Sequence, residues 1–149
     1  MKITYRRATN NDLPLLIELM RDFNAHEGIC FDEVIARSAI AGMLNDENKG
    51  YLWLIERDGL VVGYTVLTFG YSLEFHGRDA FVDEIYLIES ARGQGIGQLA
   101  IQFLEEQCRS LGISALHLEV ERSNTHAQAV YRKAGFVDHD RYLLTKWLI

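Results

Sequence analysis

The chain of 149 residues has little of what marks linkers, disulfide frameworks or membrane spans. It contains one proline, Pro14, and two cysteines, Cys30 and Cys108, and no apolar run approaches the ~18 residues that a membrane helix requires. No apolar segment with a cleavage site follows Met1, so a signal peptide is not expected. Two distant cysteines without an export signal favour reduced thiols over a disulfide. We therefore expect one cytoplasmic domain, residues 1–149, with no membrane partner.

Positive charge is also in short supply. The 15 lysine and arginine residues are outnumbered by 21 aspartate and glutamate residues, and the net charge is −6. This charge opposes the attraction to phosphates on which nucleic-acid binding largely rests, so no nucleic-acid partner is expected. The charge is compatible with a small cationic partner. Hydrophobic residues make up 48% of the chain, which is enough to build a globular core.

The hydrophobic pattern predicts the order β-α-α-β-β-β-α-β-α-β-β, a mixed sheet covered by helices. The predicted helices run from an Asn10/Asn11 cap to about His26, from the Asp32 cap to Leu44, from about Gly95 to Leu111, and over 124–134. After a first strand near Ile3, the predicted strands cover 51–56, 60–69, 80–88 and 114–120, followed by one or two closing strands that end at 142–147. Asp58-Gly59 predicts a tight hairpin, and 70–79 is predicted to be a loop.

A glycine-rich segment, residues 92–97, lies between a predicted strand and a predicted helix. The free N–H groups and the dipole at the start of a helix attract anions. Gly93, Gly95 and Gly97 allow a phosphate to approach the backbone closely because they have no Cβ. Arg92 adds a planar donor fork that suits phosphate oxygens. The segment therefore predicts a pyrophosphate site.

Two kinds of pyrophosphate ligand fit this segment. The run 95–100 satisfies the G-x-G-x-x-A fingerprint of dinucleotide sites, and Glu119 ends the next strand at about the expected distance. The preceding strands, however, resemble an antiparallel meander rather than βαβ units, and the chain is short for a dinucleotide plus a substrate. A dinucleotide domain is therefore the weaker alternative.

Two patterns together give the chain a family resemblance. Arg92, Gly95 and Gly97 match the [RQ]-x-x-G-x-[GA] signature of the GCN5-related N-acetyltransferase (GNAT) superfamily. A second pattern of that superfamily, N-x-x-A-x-x-x-Y-x-x-x-G-F, is met by Asn124, Ala127, Tyr131, Gly135 and Phe136. The segment 76–87 is similar to the diamine/spermidine acetyltransferase-like branch. The resemblance implies a mostly antiparallel twisted sheet of 6–7 strands with a splayed parallel pair and about four helices, and a homodimer is common in this superfamily.

The resemblance also implies acetyl-CoA as co-substrate, with no metal. Its pantetheine arm would lie between two splayed strands, opened by a β-bulge near residues 84–86, and its pyrophosphate would lie on the glycine-rich segment. Tyr131 would give a proton to the leaving thiolate. The implied cofactor-binding residues are Ile85, Tyr86, Leu87, Ile88, Arg92, Gly93, Gln94, Gly95, Ile96, Gly97, Asn124, Ala127 and Tyr131, and Asn124 alternatively caps the following helix.

The acceptor amine determines which other residues the chemistry needs. A lysine-like amine has a pKa near 10.4, so a base must take its proton before it attacks a thioester. Glu84 and Asp83 are the candidates, and neighbouring positions on a strand point to opposite faces. We favour Glu84 as the base, with Asp83 second and a purely structural carboxylate as the alternative. Burial in this apolar run would raise the pKa of either one.

The residues that bind the acceptor amine are the part of the site that the sequence indicates least clearly. Glu27, Asp32 and Glu33 fall where the first two helices join, and they are candidates for holding a cationic acceptor or are simply a solvated turn and cap. The expected function is acetyl transfer to a primary amine of a small molecule. Alternatives are acetylation of a protein N-terminus or lysine, and a non-catalytic acyl-CoA-binding module. His117 and Glu119 share a strand face, and we interpret them as residues of the core and of its edge rather than as functional residues.

Overall fold

The computed structural model describes all 149 residues, which divide into two compact units, 1–119 and 120–149. The first unit contains a five-stranded sheet in the order β1-β2-β3-β4-β5, in which only the last pair is parallel. Its strands are β1 (Ile3–Arg7), β2 (Gly50–Arg57), β3 (Leu60–Ser72), β4 (Gly77–Leu87) and β5 (Ala115–His117), and its helices are α1 (Leu13–Glu27), α2 (Glu33–Leu44) and α3 (Ile96–Ser110). The second unit contains α4 (Thr125–Lys133). None of these helices combines the length and the apolar character needed to span a membrane.

Turn and cap residues explain where several elements begin and end. Asp58 and Gly59 both have positive φ, at 50° and 83°, which confirms the predicted tight hairpin between β2 and β3. Asp32 caps α2 by accepting a hydrogen bond from the Ile35 amide at 3.0 Å, also as predicted. The start of α1 differs from the prediction. A short 3-10 turn, Asn10–Asp12, precedes the helix with Thr9 as its N-cap, and Asp12 is the N-cap of α1, so neither Asn10 nor Asn11 caps the helix.

The sheet has a core on each face. On one face, α1 and α2 cover the fully buried side chains of Leu54 and Tyr64, with Leu16 of α1 between them. On the other face, α3 packs Ile96 and other apolar side chains against the sheet. Along α3, the side chains of Ile96, Ala100, Leu104 and Cys108 are buried, whereas that of Leu99 is 40% exposed.

The strands differ from the prediction in length and number. The predicted loop at 70–79 is wrong, because β3 and β4 remain paired out to Ser72 and Gly77 and leave a turn of only four residues, 73–76. The strand predicted at 114–120 is shorter than expected, and the closing strands are absent, so the sheet has five strands rather than 6–7. Seven large apolar side chains between Val137 and Ile149 are exposed. Alternation of apolar residues predicts a strand but does not show whether a pairing edge is available to it.

Strands β4 and β5 pair over a short distance and then part. The pairs Asp79–Ala115, Ala80–Leu116 and Phe81–His117 are the whole parallel ladder, whereas β4 continues to Leu87. A register shift relative to β3 leaves Asp83 as an extra residue between Val82 and Glu84. This is a β-bulge, one residue before the expected range of 84–86, and bulges bend the strand that carries them. The splayed parallel pair is therefore present.

Candidate active site

Glu84 lies directly after the bulge, and its carboxylate is held from the core. Cross-strand partners share a face of a sheet, and Glu84 is paired with Val66 on the face that α1 and α2 cover. The hydroxyl of Tyr64, which is fully buried, donates a hydrogen bond of 2.7 Å to Oε1 of Glu84. The Thr65 hydroxyl donates to the Glu84 carbonyl oxygen at 3.0 Å. Side chain and backbone of Glu84 are therefore both fixed by β3.

Burial raises the pKa of Glu84, the Tyr64 hydrogen bond opposes this, and the nearby negative charge of Asp83 adds to the rise. The pKa of Asp83 is also raised, because neighbouring protein atoms displace water around its carboxylate, although part of its surface stays exposed. Burial and the Glu84 carboxylate together keep Tyr64 protonated, because both raise the pKa of its hydroxyl. The result is a half-buried carboxylate whose affinity for protons is above that of an ordinary glutamate.

The glycine-rich segment joins β4 to α3 as an open loop. Gly93 and Gly95 have φ of 72° and 80°, a left-handed conformation that glycine adopts without strain, and Gly95 is the N-cap of α3. A Cβ added at Gly93, Gly95 or Gly97 would meet no atom within 4 Å. The space above the loop is therefore open, and the unpaired N–H groups of the first turn of α3 face an accessible surface. This geometry fits a pyrophosphate group.

Two arginines without a carboxylate partner stand at this loop. Nε of Arg92 donates to the Leu87 carbonyl oxygen at 2.9 Å, and its guanidinium lies 5.5 Å from the centroid of the Tyr86 ring. Nη1 of Arg57, which sequence reasoning missed, donates to Oε1 of Gln94 at 2.9 Å. Neither arginine forms an ion pair within the protein. The loop therefore has two arginine side chains available to pair with an anion, in a chain that is acidic overall.

A second group of titratable side chains lies at the start of the splay. Nε2 of His117 is 3.1 Å from Oδ2 of Asp79, and the two side chains are 14% and 11% exposed. The rings of Phe75 and Phe81 lie 4.4 and 4.9 Å from the His117 ring. The sequence predicted His117 to be a residue of the core or its edge. It gave no indication of the contact with Asp79, because the two residues are 38 positions apart.

The remaining predicted cofactor residues belong to the second unit. Asn124 caps α4, because its Oδ1 accepts a hydrogen bond from the Ala127 amide at 3.1 Å, which is the capping alternative stated above. Tyr131 lies in the last turn of α4, and its ring centroid is 6.1 Å from that of Phe136. Gly135 has φ of 103° just beyond the helix. The N-x-x-A-x-x-x-Y-x-x-x-G-F pattern is thus a capped short helix followed by a glycine turn.

The three acidic residues predicted near the acceptor have different environments. Glu33 binds Arg21 at 2.5 Å and Arg37 at 3.7 Å, and Asp32 is the cap of α2. Asp32 and Glu33 therefore each have a partner within the protein. Glu27 is the last residue of α1 and is exposed. Of the three, Glu27 is the one most open to a ligand.

Comparison with known proteins agrees with this geometry. The family model "Acetyltransferase (GNAT) family" matches residues 14–136. The uncharacterized N-acetyltransferase YdgE of Bacillus subtilis is 37% identical over 93 residues, covering 61% of this chain and 57% of YdgE. Thialysine N-epsilon-acetyltransferase of Bos taurus is 29% identical over 145 residues, covering 91% of this chain and 85% of the relative.

Two solved structures have the same fold. An integron cassette protein from the mobile metagenome of Cole Harbour Salt Marsh superposes with a TM-score of 0.85 at 35% identity, covering 97% of this chain and 90% of that one. A predicted acetyltransferase from Clostridium acetobutylicum, solved with acetyl-CoA, superposes with a TM-score of 0.81 at 21% identity, covering 97% and 96%. The fold and the loop define an acetyl-CoA-dependent N-acetyltransferase. The chain belongs to the acetyltransferase (GNAT) family.

Proposed function

We propose that this protein transfers the acetyl group of acetyl-CoA to a primary amine of a small molecule, by direct attack within a ternary complex. The observation that carries this proposal is the position of Glu84, a carboxylate with a raised pKa immediately after the bulge that precedes the splay. A thioester is already activated, so the amine can attack it without a covalent enzyme intermediate. The single domain predicted for residues 1–149 remains part of the proposal.

The donor would bind along β4 and at the start of α3. Main-chain groups of residues 85–88 would hold the pantetheine arm as an added strand, since β4 has no neighbour on its β5 side beyond Phe81. The pyrophosphate would accept hydrogen bonds from the amides of Gln94, Gly95 and Gly97. Arg92 and the helix dipole would supply the positive field that an anionic donor needs in an acidic protein.

Glu84 would remove a proton from the acceptor ammonium. A raised pKa brings the carboxylate closer to the amine in proton affinity and so makes it a better base near neutral pH. The Tyr64 hydroxyl fixes one carboxylate oxygen and leaves the other for the substrate. Asp83 is the second candidate, and its partly exposed side chain also permits proton transfer through water.

The thiolate of CoA would take its proton from Tyr131. The amine nitrogen forms its bond to the acetyl carbon, the carbon–sulfur bond breaks, and the phenol hydroxyl protonates the sulfur. Asn124 and Ala127 would contact the donor from the same helix. The oxyanion formed on the acetyl oxygen would be stabilised by a backbone amide of β4 near the bulge.

A small acceptor is supported by the comparison with thialysine N-epsilon-acetyltransferase, whose name indicates a primary amine on an amino-acid-like molecule. Polyamines and amino-acid-like amines are therefore the proposed class, and Glu27, with the field of Asp32 and Glu33, would attract their positive charge. Acetylation of a protein N-terminus or lysine is the second candidate. A non-catalytic acyl-CoA-binding module is the third.

We further propose a cytoplasmic homodimer. Two free thiols, one exposed at Cys30 and one buried at Cys108, suit a reducing compartment. Seven large apolar side chains between Val137 and Ile149 are exposed, and we propose that a second copy covers them. Sedimentation of the purified chain tests the dimer, and a monomer at micromolar concentration would contradict it.

The test of the function is an assay of CoA thiol release from acetyl-CoA with a panel of amines and a lysine-containing peptide. Small amines are expected to support release and the peptide is not. Release with the peptide alone would favour the protein acetyltransferase. Binding of acetyl-CoA without amine-dependent release across the panel would favour the non-catalytic module.

A further inference from the structure

Arg57 is the last residue of β2 and lies on the face of the sheet that α3 covers. It pairs with Ile3 of β1, which packs against the apolar cluster beneath α3, and cross-strand partners share a face. Nη1 of Arg57 donates a hydrogen bond of 2.9 Å to Oε1 of Gln94 and one of 3.5 Å to the Ser90 carbonyl oxygen. The guanidinium therefore lies beside the glycine-rich segment, although Arg57 and Gln94 are 37 positions apart in the chain.

The side chain of Gln94 orients this guanidinium. Nε2 of Gln94 donates to the Ser90 carbonyl oxygen at 3.1 Å, so Oε1 is directed towards Arg57. A guanidinium has five N–H groups, and the contacts of Arg57 engage only Nη1. No carboxylate forms an ion pair with Arg57, whose side chain is half-buried. An oriented cation with free N–H donors therefore lies beside the loop.

Arg57 and Arg92 reach the glycine-rich segment from different strands. Nε of Arg92 donates to the carbonyl oxygen of Leu87 on β4, whereas Arg57 belongs to β2, and β3 lies between these two strands. Two strand spacings amount to roughly 10 Å. Two separate phosphate groups fit this arrangement better than one, because a single phosphate is much smaller than this distance.

CoA carries two kinds of phosphate, the pyrophosphate and a separate phosphate on the 3′ position of its ribose. The pyrophosphate is assigned above to the amides of the glycine-rich segment and to Arg92. We propose that Arg57, oriented by Gln94, binds the 3′-phosphate of the donor. This inference rests on the proposed function.

The chemistry of the two groups is complementary. A phosphate monoester carries a charge of about −1.5 to −2 at pH 7 and three acceptor oxygens. The planar guanidinium fork can donate two parallel hydrogen bonds to such oxygens. Arg57 is then a specificity-determining residue that favours CoA over donors without this phosphate, and Gln94 is its positioning residue.

A purely structural role of Arg57 predicts a different pattern of effects. If Arg57 only holds the Gln94 side chain and thereby the shape of the loop, its loss weakens the binding of every donor alike. If it binds the 3′-phosphate, its loss weakens only the binding of donors that carry this group. Arg57→Gln removes the positive charge, and Arg57→Lys keeps the charge but loses the planar fork.

The experiment measures the dissociation constants of acetyl-CoA and of acetyl-dephospho-CoA, the same molecule without the 3′-phosphate, by calorimetry with the full chain. A hydrogen bond to a charged group corresponds to a roughly tenfold to hundredfold difference in affinity, which the wild type is expected to show in favour of acetyl-CoA. Arg57→Gln is expected to abolish this preference, and Arg57→Lys to keep part of it. Arg109→Gln, which removes an exposed arginine near the other end of α3, controls for net charge and is expected to keep the preference.

Two outcomes overturn the proposal. They are equal affinity of the wild type for the two donors, and a preference that is retained in Arg57→Gln. In the second case, acetyl-pantetheine, which carries no phosphate, identifies what Arg57 does instead. A loss of affinity in Arg57→Gln that is absent for acetyl-pantetheine assigns Arg57 to the pyrophosphate, and a loss shared by all three donors makes it a structural residue of the loop.

A second variant and a second measurement keep the test independent of one protein and of the proposed function. Gln94→Met removes the side-chain contact with Arg57 but retains the backbone amide, and it is expected to weaken the preference. Binding is measured without an amine, so the result for Arg57 does not require acetyl transfer. Amine-dependent thiol release by the wild type shows that the proposed function holds even where the preference between the two donors is absent.

Discussion

The hydroxyl of Tyr64 donates a hydrogen bond of 2.7 Å to Oε1 of Glu84. Tyr64 has no solvent exposure and packs among the side chains that α1 and α2 cover, so the orientation of Glu84 is set by the core and not by a mobile loop. The bond favours the ionised carboxylate while burial disfavours it, and burial is the larger effect on the pKa of Glu84. The Glu84 carboxylate thus has a fixed orientation and a raised proton affinity, which is what a base for an ammonium substrate requires.

The first prediction concerns Glu84→Gln. The glutamine oxygen can still accept the Tyr64 hydrogen bond, so the fold is retained, but the side chain cannot take a proton. We expect kcat/KM for the amine to fall by roughly 100-fold or more, the range that general base catalysis contributes. Asp83→Asn is the matched control and is expected to have a smaller effect. A larger loss in Asp83→Asn than in Glu84→Gln would assign the base to Asp83.

The second prediction concerns stability and pH. Because the pKa of Glu84 is raised by folding, the folded state binds its proton more tightly than the unfolded state, and stability falls as pH rises through this range. Above the ordinary glutamate pKa the wild type therefore loses stability that Glu84→Gln keeps, because the glutamine amide does not ionise. The variant should therefore unfold at a higher temperature at pH 7.

This difference should disappear as pH falls below the ordinary glutamate pKa of about 4.3, because the wild-type side chain is then protonated in both states. Thermal unfolding of both proteins between pH 4 and pH 8 measures the effect. A wild type that is more stable than Glu84→Gln at pH 7 would show that the Tyr64 hydrogen bond outweighs burial.

The third prediction uses three glycines at the two ends of α3. Gly97 lies within the helix and has open space around it, so Gly97→Ala should stabilise the protein by up to about 1 kcal/mol. The added methyl group should nevertheless raise the KM for acetyl-CoA, because it would stand where we propose that the pyrophosphate binds. Gly95→Ala should raise that KM and also cost about 1 kcal/mol or more, since its φ is 80°.

Gly112→Ala is the control for these variants. Gly112 follows the other end of the same helix with φ of 71°, and a Cβ there also meets no atom within 4 Å. Gly112→Ala should destabilise the protein by about as much as Gly95→Ala does, without any change in the KM for acetyl-CoA. Steady-state kinetics and thermal unfolding of all three variants separate strain from lost donor binding. An unchanged KM for acetyl-CoA in Gly97→Ala would show that the pyrophosphate does not bind at this loop.

The fourth prediction concerns Tyr131→Phe. The substitution removes the hydroxyl that we propose protonates the leaving thiolate, and it retains the ring that packs against Phe136. We expect turnover to fall by roughly 100-fold, with little change in the Kd for acetyl-CoA. Tyr142→Phe, which removes a hydroxyl from an exposed tyrosine of the same unit, serves as the control. Unchanged turnover in Tyr131→Phe would remove it as the acid.

The parts of the fold that the sequence predicts correctly depend on local chemistry. The Asp58-Gly59 turn, the Asp32 cap and the glycine-rich segment each require particular backbone angles or side-chain oxygens, and those requirements appear directly in the residue types. Asp83 and Glu84 lie on β4 and the glycine-rich segment lies at the start of α3, and the roles of these residues stay predictions.

The parts that were wrong or missed depend on pairing between distant segments. The apolar residues near the C-terminus were predicted to form strands but form none, and the short ladder of β5 ends at Phe81, two residues before the bulge at Asp83. The Asp79–His117 contact and the Arg57–Gln94 contact join residues 38 and 37 positions apart. A single sequence contains no signal for such contacts, because each residue type there is also ordinary for a strand or a loop.

The central claim is that this chain transfers acetyl groups to small amines. The most direct measurement is the rate of CoA thiol release from acetyl-CoA by the purified chain, with and without each member of a panel of primary amines. The account predicts release that requires an amine, is strongly reduced in Glu84→Gln, and yields the N-acetylated amine by mass spectrometry. Binding of acetyl-CoA with no amine-dependent release from any member of the panel would contradict it.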